Sequence, residues 1–271
     1  MYIYRFEAMT TPCELLINTS NKKKADRVAK RILQNSKLLE KKYNFFDPNS
    51  YLSKVNNRET NLLDKEFLHL LELSKKYYYL TNKVFDVTIG TIKDAFLYST
   101  TIDELQENKN RLKEFMGFEN IKIKNQKIIF LNRYIKLDFG GLVKEYAVDS
   151  AVKILKEFKI KSALVNFGGD IYAYGKKSNN QRYKIGIKDP KNPKNIAAFV
   201  ELEDEAIATS ASYERGYTID NKRFSHIISK DGEYSANSVS VISKSCVESG
   251  VFATALMIDN TIKCKNRVLI F

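Results

Sequence analysis

The spacing of apolar residues changes partway along this 271-residue chain, and that change limits the fold more than any other feature. Ala25, Val28, Ala29, Ile32 and Leu33 recur at helical intervals, with Ser20 or Asn21 placed to cap the segment. Asp64 can cap a second such run, carrying Phe67, Leu68, Leu71 and Tyr78, and TIDELQENKNRLKEFMG predicts a third helix. Beyond it the texture is different. IKIKNQKIIFL alternates around Asn125 and Gln126 and predicts a hairpin, and YIKLDFGG predicts a strand. LVKEYAVDSAVKILKEF predicts a helix with Ala147, Val148, Ala151, Leu155 and Phe158 inward, followed by strands and turns up to a last helix near residues 245–259. No repeat or low-complexity linker divides the chain. The expected fold is mixed α/β (α+β), one compact unit over residues 1–271, with mixed or antiparallel sheets flanked by helices and a helix-rich first half.

Composition narrows the chemistry. A hydrophobic content of 44% is ample for a core, and no run of about eighteen apolar residues is present to cross a membrane. The first twenty residues lack the basic and apolar blocks of an export signal, so a cytoplasmic location is expected. Cys13, Cys246 and Cys264 are an odd set without CxxC spacing, which argues against a disulfide framework and a structural zinc site. With only two histidines, His69 and His226, any metal must be held largely by oxygen, which favours magnesium or calcium. The net charge of +13 comes from lysines spread widely among Asn and Ile, without a nucleic-acid motif, and reads as a solvated surface.

Eleven glycines are present, and five of them fall between residues 140 and 175, including the pairs Gly140-Gly141 and Gly168-Gly169. A glycine pair at a strand end permits positive φ or lets a ligand approach the backbone. In LDFGGLVKEY, Asp138 ends a predicted strand, Gly141 lies in the turn and Lys144 in the first helical turn. Backbone N–H groups, a helix N-terminus and an ammonium thus meet in one place, a phosphate environment that is neither a Walker A loop nor GxGxxG.

Taken in order, AMTTPCELLI, FFDPNSYLSKVN, FDVTIG, LDFGGLVKEYAVD, LVNFGGDIYAYGKK, YKIGIKDP, AIATSASYERGY, RFSHIISKDG and SVSVISKSCVESGVFATALM resemble the ApbE-like FAD:protein FMN transferases. The resemblance implies an ApbE-like fold over nearly the whole chain. It also implies a Mg2+-dependent enzyme with FAD as substrate, which passes the FMN phosphoryl moiety to a Ser or Thr hydroxyl of a flavoprotein acceptor and releases AMP. Such a reaction needs phosphate charge neutralised, a hydroxyl in line and a base for its proton.

By position, the resemblance assigns Met9, Phe46, Phe85, Asp86 and Val87 to contacts with the flavin dinucleotide, and puts Asp138 and Lys144 beside it at the glycine turn. The Gly141 carbonyl and Thr254 correspond to metal ligands, and Asn166, Gly168, Gly169 and Asp170 are expected to be scaffolding. Tyr213, Glu214 and Arg215 fall in a family block whose glycine is Ala211 here, and their roles stay open. On its own residues His226 reads as a packed or capping histidine; the resemblance makes it the general base on the acceptor hydroxyl, a task that an imidazole of ordinary pKa about 6.5 suits. His69 matches nothing in the family and is expected to be structural.

One departure matters. The family's last block places an acid four residues before the threonine, on one helix face, and GVFAT supplies Gly250 there instead. Glu248 is about 200° around a regular helix from that face. Three outcomes are open: magnesium held by the remaining oxygens, water and phosphates; another acid moving in; or a flavin-binding protein with an impaired metal site and little or no transfer.

Overall fold

The structure, a computed structural model, describes residues 1–192, 194–212, 216–225, 227–228 and 234–271. In chain order, strands β1 (Tyr2–Ala8) and β2 (Thr11–Asn18) lead into helices α1 (Lys22–Tyr43), α2 (Tyr51–Asn56), α3 (Lys65–Leu80), α4 (Gly90–Tyr98) and α5 (Ile102–Leu112). A short hairpin of β3 (Ile121–Lys124) and β4 (Lys127–Phe130) precedes α6 (Val143–Glu157). Then come β5 (Ser162–Phe167), β6 (Asp170–Tyr174), β7 (Tyr183–Lys188), β8 (Ile196–Leu202), β9 (Glu205–Ala211), β10 (Gly216–Ile219), β11 (Lys222–Ser225) and β12 (Ser238–Ser243). Helix α7 (Cys246–Ile258) and strand β13 (Arg267–Ile270) complete the fold.

The central sheet has the order β1-β2-β5-β6-β9-β12-β13, and each of its pairings is antiparallel. Side chains alternate across it with period two. Val165, Phe167, Tyr172, Ala206 and Val241 face a core shared with α1, α6 and α7, whereas Ile171, Ala173, Ile207 and Ile242 face Tyr183, Ile185 and Ile187 of the β7–β8 hairpin. Both faces of the central strands are therefore covered, which is why β12 is buried at all six positions. Each fully buried branched or aromatic side chain contributes roughly 1.5–3 kcal/mol.

The local expectations are met where the chain carries its own signal. Asn21 accepts from Lys24 N–H at the start of α1 and Asp64 from Phe67 N–H at the start of α3. Asn125 and Gln126, at φ 50° and 61°, make the two-residue turn of the β3–β4 hairpin. Cys13 and Cys246 are buried and free, and Cys264 is partly exposed. Among the described residues no helix is long and apolar enough to cross a membrane.

One expectation needs correction, and two features were not foreseen. Helices α2 and α4 are short, and the spacing of their apolar residues did not reveal them. YIKLDFGG is extended but joins no sheet: Asn56 donates to Leu137 O and accepts from Leu137 N–H, Thr91 Oγ1 accepts from Lys136 N–H, and Val87 O accepts from Asp138 N–H. Side chains and a loop satisfy the backbone that a neighbouring strand would otherwise pair. The two glycine pairs also differ. Gly168 and Gly169 take φ of 61° and 97° in the β5–β6 turn, while Gly140 and Gly141 do not have positive φ.

Candidate functional site

The site assembles at one end of the central sheet. The β1–β2 turn, with Met9 and Thr10 both at φ 55°, lies beside the β5–β6 turn, where Pro12 O accepts from Gly168 N–H. Strand β9 pairs Ile207 with Ile171, so its Thr209, Ser210 and Ala211 run on past Asp170 toward the same end. The first turn of α6 and the middle of α7 complete the wall.

Helix α6 has no side-chain cap; its cap position is Leu142, whereas α1, α2, α3, α5 and α7 are each capped by a side chain. Gly140 and Gly141 before it are exposed, and the Phe85 ring stands 3.5 Å from the place of a Gly141 Cβ. An uncapped helix end behind accessible backbone is suited to an anion. The two glycines leave that backbone exposed without adopting positive φ.

Asp138 anchors one side of this turn. Its Oδ1 accepts from Gly140 N–H at 2.8 Å and its Oδ2 from Lys93 Nζ at 2.6 Å. The same ammonium lies 4.6 Å and 4.5 Å from the ring centroids of Phe45 and Phe46. Phe46 is 62% exposed and presents its ring outward. Phe85 and Val87 are buried, and Asp86 caps the short 3-10 turn at Val87–Ile89 by accepting from Thr88 N–H and Thr88 Oγ1. Phe46 and Asp138 therefore meet at Lys93, which sequence reading did not single out, and Val87 O accepts from Asp138 N–H.

Lys144 anchors the other side. Its Nζ is 2.5 Å from Asp170 Oδ2 and 4.0 Å from Glu145 Oε1. Asp170 is 2% and Glu145 6% exposed, and both Glu145 Oε2 and Asp170 Oδ2 lack an aligned hydrogen bond. Burial pushes the Glu145 carboxyl up to about 8, and the nearby Asp170 charge adds to this against the pull of Lys144. Burial works to lower Lys144, but Asp170 and Glu145 outweigh it and hold its proton more firmly than usual. Asp170 was expected to be scaffolding; the structure shows it as the ion-pair partner of Lys144. Asn166 does serve the turn, accepting from Gly169 N–H.

Helix α7 is buried at almost every position up to Met257, and Thr254 is one of its few partly exposed residues. Thr254 Oγ1 shares a 2.9 Å hydrogen bond with Ser210 Oγ. Asp149 of α6 locks the helix in place, accepting from Cys246 N–H and Val247 N–H, and Ser245 caps it by accepting from Glu248 N–H. Burial raises the Asp149 carboxyl despite those two donors. Gly250, one turn before Thr254, faces Glu145: a Cβ there would lie 2.5 Å from Glu145 Cγ and 3.0 Å from its Oε1.

Ser210, Glu145, Asp170 and Lys93 were not foreseen as site residues. Glu145 had a signal, because it falls in helical register with the buried Val148 and Val152. His69 is exposed on α3, with its ring 5.9 Å from Tyr146, on a surface hollow of about 280 Å³ that also takes in Tyr77, Lys153 and Lys244. His226, Tyr213, Glu214 and Arg215 lie outside the described residues. Among the described residues no group of three or more His, Cys, Asp or Glu side chains is close enough to hold a metal. A cation here would depend on hydroxyl and carbonyl oxygen as well as carboxylate.

Comparison with known proteins gives the family. A FAD:protein FMN transferase of Chlamydia pneumoniae is 26% identical over 96% of this chain and 85% of its own length. One from Escherichia coli K12 is 25% identical over 69% of this chain and 57% of its own length. The ApbE protein of Thermotoga maritima superposes with a TM-score of 0.87 at 24% identity, covering 99% of this chain and 93% of that one. The flavin transferase ApbE of Vibrio cholerae gives 0.83 at 21% identity, covering 99% and 92%. The ApbE family model matches residues 9–266, and the chain belongs to the ApbE family.

Proposed function

We infer that this chain is a FAD:protein FMN transferase. The near full-length match to the family, residues 9–266, carries the reading, and the chemistry at the end of the sheet agrees with it. In the transfer the bond between the FMN phosphorus and the bridging oxygen of the diphosphate breaks, a bond from that phosphorus to a Ser or Thr oxygen of the acceptor forms, and AMP leaves with the bridging oxygen. The acceptor hydroxyl gives up its proton to a base, the role assigned to His226.

The residues present fit a hard divalent cation. The donors would all be oxygen: the Gly141 carbonyl and the Thr254 hydroxyl that the resemblance assigns, and the buried Glu145 carboxyl, whose Oε2 has no hydrogen-bond partner. Magnesium bound there would neutralise charge on the phosphate oxygens. The chain's own groups do the positioning. The uncapped α6 N-terminus and the Lys144 ammonium attract the diphosphate, and Phe46, held by the Lys93 cation, offers an aromatic face to the flavin dinucleotide.

The test incubates the full chain with FAD, Mg2+ and a flavoprotein domain that has a Ser or Thr acceptor site. Covalent flavin on the acceptor and free AMP are expected. Tight FAD binding without AMP would instead support a flavin-binding protein that does not transfer. His226→Ala should abolish transfer and leave FAD affinity within a few-fold. Equal loss of both would make His226 a structural residue.

A further inference from the structure

The acid missing from α7 leaves a gap that the neighbouring helix fills. Gly250 has no side chain, and the volume in front of it is occupied by Glu145, whose Cγ is 2.5 Å from the place of a Gly250 Cβ. An aspartate at position 250 and the glutamate at 145 cannot both occupy that space in this arrangement. Glu145 is 6% exposed, and its Oε2 is buried without a hydrogen-bond partner. An unpartnered buried carboxylate oxygen is costly unless something else meets it. Lys144 does not: its Nζ is 4.0 Å from Oε1 and sits at 2.5 Å on Asp170, and the other close group is the Asp170 carboxyl, itself an acid. One turn along α7 from Gly250 is Thr254, which shares a hydrogen bond with Ser210.

We propose that Glu145 of α6 is the carboxylate ligand of the divalent cation in this chain, replacing an acid on α7 that Gly250 cannot provide. The proposal rests on the transferase reading of the site and adds a residue to it. A residue buried on α6 and a hole on α7 are complementary: the carboxyl that α7 lacks at Gly250 is supplied across the same gap by α6. Gly250 is then required, because any side chain there would displace Glu145. This also removes the ground for expecting an impaired metal site.

The experiment titrates Mn2+ alone into the metal-free full chain and follows the free ion by its EPR signal. Glu145→Gln, which keeps the shape, should weaken Mn2+ binding by at least about tenfold, the scale on which lost metal-site contacts are felt. Gly250→Asp alone should bind no tighter than the wild type, because the new side chain meets Glu145. The exchange Glu145→Ala with Gly250→Asp should bind within a few-fold of wild type, and Glu145→Ala alone should not. Melting by circular dichroism identifies any variant that fails to fold. Mn2+ affinity within twofold of wild type in Glu145→Gln, or no recovery in the folded exchange variant, overturns the proposal. Quenching of flavin fluorescence by FAD binding separates the two claims. A chain that binds FAD and Mn2+ but ignores Glu145→Gln refutes only the ligand assignment; one that binds neither refutes the transferase reading too.

Discussion

Two lysine–aspartate pairs flank the turn before α6. Lys93 and Asp138 meet at 2.6 Å, and Lys144 and Asp170 at 2.5 Å. Around the first pair the requirements are met: Asp138 takes a second donor from Gly140 N–H, and the Lys93 cation lies near the faces of Phe45 and Phe46. Around the second they are not. Glu145 brings another carboxyl into the same buried space, so one ammonium serves two acids, and an oxygen of each acid has no aligned donor. The first pair is a brace that shapes an aromatic wall, and the second is a place where oxygen exceeds its partners. The same ion pair is thus satisfied or left short of donors, depending on whether a second carboxyl stands beside it.

The largest test of this contrast removes each cation in turn. Lys144→Met leaves two carboxyls facing one another in the interior and should cost about 3–5 kcal/mol of stability. Lys93→Met leaves Asp138 still bonded to Gly140 N–H and should cost about 1–3 kcal/mol, as for a single lost charged hydrogen bond. Urea unfolding of both variants measures the difference, and equal losses would erase it.

A pH series sharpens the same point. The Glu145 carboxyl is raised from 4.5 to about 8, so between those values the folded chain binds more protons than the unfolded one. Stability in EDTA should therefore fall as pH rises from about 4.5 to 8, by at most about 1.4 kcal/mol per pH unit from this group. Thermal melts of the wild type and Glu145→Gln should diverge in that window; parallel curves would mean that the carboxyl titrates normally. The smallest effect is expected at Thr254. Thr254→Val keeps the shape but ends the bond to Ser210, costing about 1 kcal/mol in stability while weakening Mg2+ binding measured by calorimetry.

Much of this molecule was legible before its fold was known. The helices that carry a cap and an amphipathic stripe, such as α1 with Asn21 and α3 with Asp64, are specified by residues within a few positions of one another. So is the Asn125-Gln126 turn. The segment 134–141 was misread as a strand because its composition suits extended backbone, and whether such backbone enters a sheet depends on partners far away. Here Asn56, 81 positions from Leu137, takes both hydrogen bonds. The pairing of Asp170 with Lys144 was not foreseen for the same reason: its lysine lies on another element.

The ordered motifs determined the family, the glycine turn that leads to Lys144 and the absence of an acid at Gly250. They did so because each is a local pattern of residue types that must stand next to each other along the chain. Only the tertiary structure decided what fills the space of that absent acid. Glu145 and Gly250 are separated by some hundred residues and meet because Asp149 pins the start of α7 against α6. A side chain and the hole that admits it are complementary in volume, and volume is set by packing in three dimensions, which no linear spacing encodes.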